Sequence, residues 1–300
     1  MGIWQPDPGE TALTRTYVEF ATGRATPVSG MRWFRDTERK DIQDELPGWP
    51  EGPLYTAHSA GGAAGRNVAK VGLKTLYVAV WGALTSQGGS VGPGSRARPV
   101  EDRADEVEDF PVVWAAPGTI ARTLPWQLDP GRRDGKRYRT HAVVTDRRLL
   151  VVGLPYDKKH DELVDDEVLW EVERSRIGRV ELRDFKYASD VKVVFSDGSW
   201  CRLWTINRDA LARYLVYPLD LLGPESLTPE LRNAVDRHIA RAEAPDPVRP
   251  VVSRRACGHY LIDSPAPRPL SGFFGASTFA ESVNSDGSEL QPGELHPEDL

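Results

Sequence analysis

The clearest hydrophobic pattern lies in the middle third of the chain, where apolar and polar residues alternate in short segments. A period of two is typical of a strand that buries one face, and an unbroken apolar run is typical of a strand covered on both faces. Residues 149–152 form such a run, whereas the other segments alternate. The predicted strands are residues 137–145, 149–152, 168–173, 177–182, 191–195 and 200–204.

Turn signals separate these strands. Ser196-Asp197-Gly198 stands between the last two segments, and Asp-Gly tolerates the positive φ angles that a tight hairpin turn needs. After Asn207, a predicted N-cap, leucines and Tyr214 recur at helical spacing up to Leu222. We therefore expect the strands to be followed by one amphipathic helix.

Residues 119–128 add a seventh alternating segment, in which Pro125 indicates an edge strand or a bulge. Seven short strands and a terminal helix predict an α+β fold. The expected architecture is a small antiparallel seven-stranded barrel or sandwich whose open end is capped by the C-terminal helix.

The order of these features resembles the bacterial pleckstrin-homology-like (PH-like) domain family. The resemblance rests on the run Thr145 to Val152, the strand that contains Ile177, the hairpin Phe195 to Ser199 and the following helix, and it covers about Val107 to Leu222. It implies a binding scaffold that has no catalytic set and is often attached to membrane-binding or partner-binding segments. We therefore expect a protein that is not an enzyme and uses no cofactor.

The flanks are rich in Pro, Gly, Ser and charged residues, a composition that favours disorder. Within them, residues 29–46 predict a marginal helix and Thr228-Pro229-Glu230 predicts a helix start. The expected organisation is a mostly disordered region at 1–60, an amphipathic helical segment at 61–87, a linker at 88–104, the PH-like domain at 105–224, a helix at 225–244 and a disordered acidic tail at 245–300.

The segment 61–87 carries a basic stripe, because Arg66, Lys70 and Lys74 are spaced four apart beside apolar residues that include Trp81. Its apolar part is far shorter than the ~20 residues needed to cross a bilayer. Two interpretations remain open. The helix either lies in the headgroup plane of an anionic membrane, or packs against the barrel or a second copy of itself.

Charge is distributed unevenly along the chain. The formal net charge is -6. Residues 131–148 hold seven basic residues against two acidic ones. In PH domains, which this chain resembles, the loop between the first two strands binds anionic headgroups through Lys and Arg. The predicted anion-binding residues are Arg132, Arg133, Lys136, Arg137 and Arg139.

A competing interpretation of this basic loop is a solvated surface balanced by the acidic residues of 157–171. Nucleic acid is not favoured as a ligand, because the basic residues lack interleaved aromatic residues apart from Tyr138.

The chain holds only weak matches to reactive motifs. Gly88-Gly89-Ser90-Val91-Gly92 matches the elbow of serine hydrolases, but the strand before it and the helix after it are missing, so a linker is the better interpretation. Cys257 and His259 lack two further ligands, and we predict no metal site. Two cysteines and the absence of a leader predict a reducing cytoplasm.

These observations predict a non-enzymatic adaptor that binds anionic lipid headgroups at a membrane surface. It would be cytoplasmic, or peripheral at the inner face of the membrane. The alternative is a protein-interaction module that binds a peptide of a partner, or its own C-terminal tail around Phe273 and Phe274.

Overall fold

The computed structural model describes most of the chain outside residues 51–105. The described residues are 4–24, 32–46, 48–50, 106–133, 138–155, 165–185, 189–205, 207–216, 220–241, 250–264, 279–291 and 293–296. The predicted helical segment 61–87 and the linker 88–104 lie outside them, and so do Arg66, Lys70, Lys74 and Trp81.

Strands dominate the described residues, so the fold is α+β with β-structure in excess. The strands are β1 Ala12–Phe20, β2 Trp33–Arg35, β3 Pro111–Trp114, β4 Tyr138–Thr145, β5 Arg148–Pro155, β6 Glu167–Glu173, β7 Ile177–Asp184, β8 Ser189–Phe195, β9 Trp200–Thr205, β10 Asp220–Leu222, β11 Val251–Arg254, β12 Tyr260–Ser264 and β13 Phe279–Val283. The α-helices are α1 Glu106–Asp109, α2 Arg208–Val216 and α3 Pro229–Arg241.

Nine strands form one sheet around β1. Its N-terminal part pairs antiparallel with β4 and its C-terminal part with β9, so β1 joins the meander β4-β5-β6 to the meander β7-β8-β9. Within the described residues, β6 and β7 are linked by the short 3-10 turn Arg174–Arg176 but do not pair. The sheet is therefore not a closed barrel in the described residues, so the barrel form of the predicted barrel or sandwich was wrong.

The burial of β5 on both faces explains why its apolar run is unbroken. Leu149 and Val151 belong to the main core, whereas Leu150 and Val152 pack with Trp4 on the opposite face. Consecutive residues of a strand point to opposite faces, so β5 is covered on both sides as the run predicted.

The first strand of the fold is β1 and not residues 119–128. Those residues form two 3-10 turns, Ile120–Thr123 and Trp126–Leu128, because Pro125 cannot donate a hydrogen bond and the N–H of Ile120 donates to Asp197 instead, at 2.7 Å. The prediction of a strand there was wrong. The predicted disorder of residues 1–60 and the marginal helix at 29–46 were also wrong for the described residues, which include β1 and β2.

Helix α2 packs on this sheet through Leu211, Tyr214 and Leu215, all part of the main core. The helix predicted after Asn207 is thus present, but it ends at Val216, earlier than its leucine spacing suggested. Leu221 and Leu222 belong to β10 instead.

A second sheet, in the order β10-β11-β12-β13, lies C-terminal to α2. Helix α3 covers one of its faces through Leu231 and Ala234, which pack with Val252 and Ile262. Thr228 begins this helix as predicted, since its hydroxyl accepts the N–H of Leu231 at 3.2 Å. The prediction of a disordered tail from residue 245 was wrong for the described residues, which form three of these four strands.

Candidate functional site

The two described arginines of the predicted basic loop point inward. The side chain of Arg132 is 2% exposed, lies 3.4 Å from the Asp129 carboxylate and stacks over the ring of Trp49. Arg132 also donates to the carbonyl of Pro50. Arg132 is therefore held inside the protein, where it shares the Asp129 carboxylate with Arg32.

Arg133 is held in the same way. Its guanidinium donates to the hydroxyl of Tyr17 at 2.7 Å, to the carboxylate of Glu19 at 3.2 Å and to the carbonyl of Tyr138 at 3.2 Å. A buried and paired guanidinium has few N–H groups left for a phosphate. The cationic character of this loop thus serves the packing between β1 and β4.

The remaining predicted residues of this set are Arg139, which lies partly buried on β4, and Lys136 and Arg137, which fall outside the described residues. Headgroup binding at the loop stays a prediction. The geometry of Arg132 and Arg133 does not favour it, because binding a headgroup would first break their internal ion pairs.

A cleft of about 800 Å³ is present among the described residues. It lies between the N-terminal end of β1 on one side and β10, β11 and α3 on the other. A volume of this size is typical of ligand sites, which are mostly apolar with a few convergent polar groups. The N-terminal wall comes from Trp4 to Arg15, and the C-terminal wall comes from Leu221, Val251 and their neighbours.

Ion pairs fix the N-terminal segment that forms the first wall. Arg148 donates to the Glu10 carboxylate at 2.9 and 2.8 Å and to Asp7 at 2.7 Å, and the hydroxyl of Thr145 donates to Glu10 at 2.6 Å. Burial alone would raise the pKa of Glu10, but the hydrogen bonds from Arg148 and Thr145 outweigh it and lower this pKa to about 2. At neutral pH, Glu10 is therefore ionised and bound by Arg148 and Thr145.

Arg15 links this wall to the sheet. Its guanidinium binds Asp166 through two hydrogen bonds of 2.7 Å, and its Nε donates to Nδ1 of His141 at 3.1 Å. Asp166 also accepts the N–H of Trp4 at 2.6 Å. Burial lowers the pKa of His141 well below its ordinary value, and the nearby charge of Arg15 acts in the same direction, so the ring is neutral.

Thr14, beside Arg15 on the cleft wall, is fully buried. Its hydroxyl has no hydrogen-bond partner within the described part of the chain. A buried hydroxyl without a partner costs about 1–3 kcal/mol. Thr14 pairs with Val144, a residue of the main core, so its side chain lies on the core side of β1.

Strand β10 forms the opposite wall. Both Leu221 and Leu222 line the cleft, as do Val251 and Val252 of β11. Consecutive residues of a strand point to opposite faces. The cleft must therefore meet this sheet along its border rather than on one face. β10 is the terminal strand of the sheet as far as the described residues extend.

Helix α3 closes the cleft with Val235 and Ile239, which are partly buried, and with Arg232 and Asp236, which are exposed. Arg15 is already paired with Asp166, and Glu10 is already paired with Arg148. The two charged residues on the helix are of opposite sign. The cleft has little net charge, so it suits a neutral apolar ligand better than an anion.

The strand that forms the N-terminal wall was not predicted from the sequence, although its composition is that of a strand. Residues 12–20 are rich in β-branched and aromatic residues, namely Thr14, Thr16, Tyr17, Val18 and Phe20, a composition typical of strands. The Pro and Gly content of the surrounding region concealed it.

No family model matches the chain, and no curated protein or solved structure matches it either. Among the helices of the described residues, none has the length and apolar character needed to cross a membrane. The described residues also hold no cluster of three or more His, Cys, Asp or Glu side chains that could bind a metal.

Proposed function

We propose that this chain is a binding protein whose cleft takes an extended, apolar peptide segment of a protein partner. The observation that carries the proposal is the meeting of an apolar cleft with the edge of β10, which pairs with no further strand among the described residues. Edge strands present unpaired backbone N–H and C=O groups, and a peptide that adds to such an edge gains hydrogen bonds from them. Side chains of the peptide would fill the space between Trp4, Leu222 and Val235.

The strand order supports a PH-like scaffold for this function. Leaving out the short strands β2 and β3, β1 is followed in sequence by β4 to β9 and then by α2, which gives seven antiparallel strands and one C-terminal helix. That is the order expected of the family that the sequence resembles. In this proposal the long segment between β1 and β4 is an insertion between the first two strands.

The polar groups of the cleft support a peptide over a lipid headgroup. An anionic headgroup needs unpaired cations, whereas Arg15 is already bound by Asp166 and Arg132 and Arg133 are paired elsewhere. The edge of β10 offers neutral backbone N–H and C=O groups, which match a peptide backbone. Cytoplasmic localisation remains a prediction.

The proposal can be tested by selecting binders from a random dodecapeptide phage library with the full chain. We expect enriched peptides to share alternating apolar residues, because a strand presents every second side chain to one wall. Substitution Val235→Trp fills the cleft and should weaken binding of a selected synthetic peptide at least about tenfold, equivalent to about 1.4 kcal/mol.

Val168→Trp is the matched control, since Val168 is 50% exposed on β6 and does not line the cleft. It should leave peptide affinity unchanged. Equal loss of affinity in both variants, or no loss in either, would place the peptide outside the cleft. A parallel measurement with vesicles of phosphatidylserine should show no binding above that to neutral vesicles, and salt-sensitive vesicle binding would favour the basic loop instead.

A further inference from the structure

A serine, a histidine and a glutamate meet at one end of the interface between α3 and the second sheet. Nε2 of His238 lies 3.1 Å from Oγ of Ser264, and Nδ1 of His238 lies 3.3 Å from Oε2 of Glu281. These contacts join α3 to β12 and β13. A nucleophile hydrogen-bonded to a base that a third group orients is the arrangement of an activated serine.

The fold explains why these three side chains converge. Ile262 and Ser264 are two residues apart on β12 and so share the face that packs against α3. Glu281 pairs with Ile262 across the β12–β13 ladder, which puts its side chain on the same face. His238 lies one helical turn after Ala234, on the buried side of α3.

The three residues differ in how deeply they are buried. The side chain of His238 is fully buried and that of Glu281 is 13% exposed. Ser264 is the last residue of β12 and is partly exposed. The serine hydroxyl therefore stands between a protected imidazole and the surface, where a small substrate could reach it.

Hydrogen-bond chemistry sets the direction of both contacts. An ionised carboxylate only accepts, so Nδ1 of His238 donates to Glu281, which Arg241 also binds at 3.1 Å through its other oxygen. In the neutral imidazole Nε2 is then an acceptor, and the hydroxyl of Ser264 donates to it. This tautomer is the one in which the histidine can take the serine proton.

We propose that Ser264 is a nucleophile with His238 as its general base and Glu281 as the residue that positions the imidazole, and that it takes up acyl groups from small esters. Oγ of Ser264 forms a bond to the carbonyl carbon of the ester, and its proton passes to Nε2 of His238. When the tetrahedral adduct collapses, the bond to the alcohol oxygen breaks and the alcohol leaves with that proton. Water, activated by His238 in the same way, then releases the acid and restores the serine.

This inference is independent of the proposed peptide cleft, because none of the three residues lines it. The test is labelling of the full chain with a fluorophosphonate probe, followed by mass spectrometry of the digested protein. The expected result is one adduct, on Ser264, with hydrolysis of p-nitrophenyl acetate lost on labelling. Absence of an adduct on Ser264 in the folded wild-type protein would overturn the proposal.

Two variants separate chemistry from folding. Ser264→Ala should abolish both labelling and ester hydrolysis, and Glu281→Gln should slow labelling about 10²-fold while circular dichroism stays unchanged. Ser175 supplies an internal control, since its hydroxyl donates directly to Glu173 at 3.1 Å in an exposed turn. Labelling of Ser175 as fast as Ser264 would show general surface reactivity and would overturn the assignment.

Discussion

Replacing Asp166 by alanine should lower the free energy of unfolding by about 3–5 kcal/mol, because it leaves the buried guanidinium of Arg15 without its counter-ion. The two side chains are 6% and 1% exposed, and two hydrogen bonds of 2.7 Å join them. The N–H of Trp4 loses its acceptor in the same substitution. Chemical denaturation followed by tryptophan fluorescence measures the change.

Asp209→Ala is the matched control for this prediction. Asp209 pairs with Arg208 at 3.7 Å, but its side chain is 67% exposed, so its removal should cost less than about 1 kcal/mol. The double substitution Arg15→Met with Asp166→Ala should regain part of the lost stability, since no charge is then left buried. Equal costs for Asp166→Ala and Asp209→Ala would mean that Arg15 reaches water.

The second large effect concerns Asp190, a fully buried carboxyl near the start of β8 in the main sheet. Burial raises its pKa to about 7, although the guanidinium of Arg202, 3.7 Å away, acts to lower it. Neither carboxyl oxygen has a hydrogen-bond partner within the described residues. The proton is thus held more tightly in the folded chain than in the unfolded chain, where the ordinary value of 3.8 applies.

A raised pKa in the folded state stabilises the fold at low pH and loses this contribution as pH rises. The contribution of Asp190 should therefore be full below about pH 4 and fall by roughly 4 kcal/mol as pH rises from there through 7. Asp190→Asn removes the titration, so its free energy of unfolding should decline less than that of the wild type between pH 4.5 and pH 8. Denaturation curves at several pH values measure this, with Asp209→Asn as the exposed control. Parallel curves for wild type and Asp190→Asn would contradict the assigned shift.

The part of the fold that the sequence predicted is the part with local partners. Strands β4 to β9 pair with neighbours in sequence, and the Asp197-Gly198 turn sets the register of one hairpin, with Gly198 at a φ of 82°. The alternating pattern of these strands and the turns between them can be recognised in short stretches of the sequence. The fold class and the helix after β9 follow from the same windows.

Strand β1 shows why the rest escaped prediction. Its partners are β4 and β9, and Thr16 pairs with Ala142, more than a hundred residues along the chain. Pairing across such a separation depends on tertiary contacts that no local pattern carries. The short strands of the second sheet were not predicted for a related reason. β11 and β12 have four and five residues, of which only two or three are apolar, and among prolines they look like a solvated tail.

The same contrast between local patterns and long-range contacts applies to the candidate sites. Local charge singled out Arg132 and Arg133, but their partners Asp129 and Glu19 and the stacking on Trp49 became visible only in the fold. A count of charges cannot distinguish a solvated arginine from a buried one. Residues from the first and last parts of the chain form the walls of the cleft. No sequence motif predicts that these two parts lie close together.

Amide hydrogen exchange of residues 220–223 with and without a selected peptide tests the central claim most directly. If the peptide adds to the edge of β10, the amides of this segment should exchange at least about tenfold more slowly in the complex, because strand pairing withdraws them from water. The exposed strand β7 should not change. Unchanged exchange at 220–223 in a peptide-saturated protein would contradict strand addition and place the binding surface elsewhere.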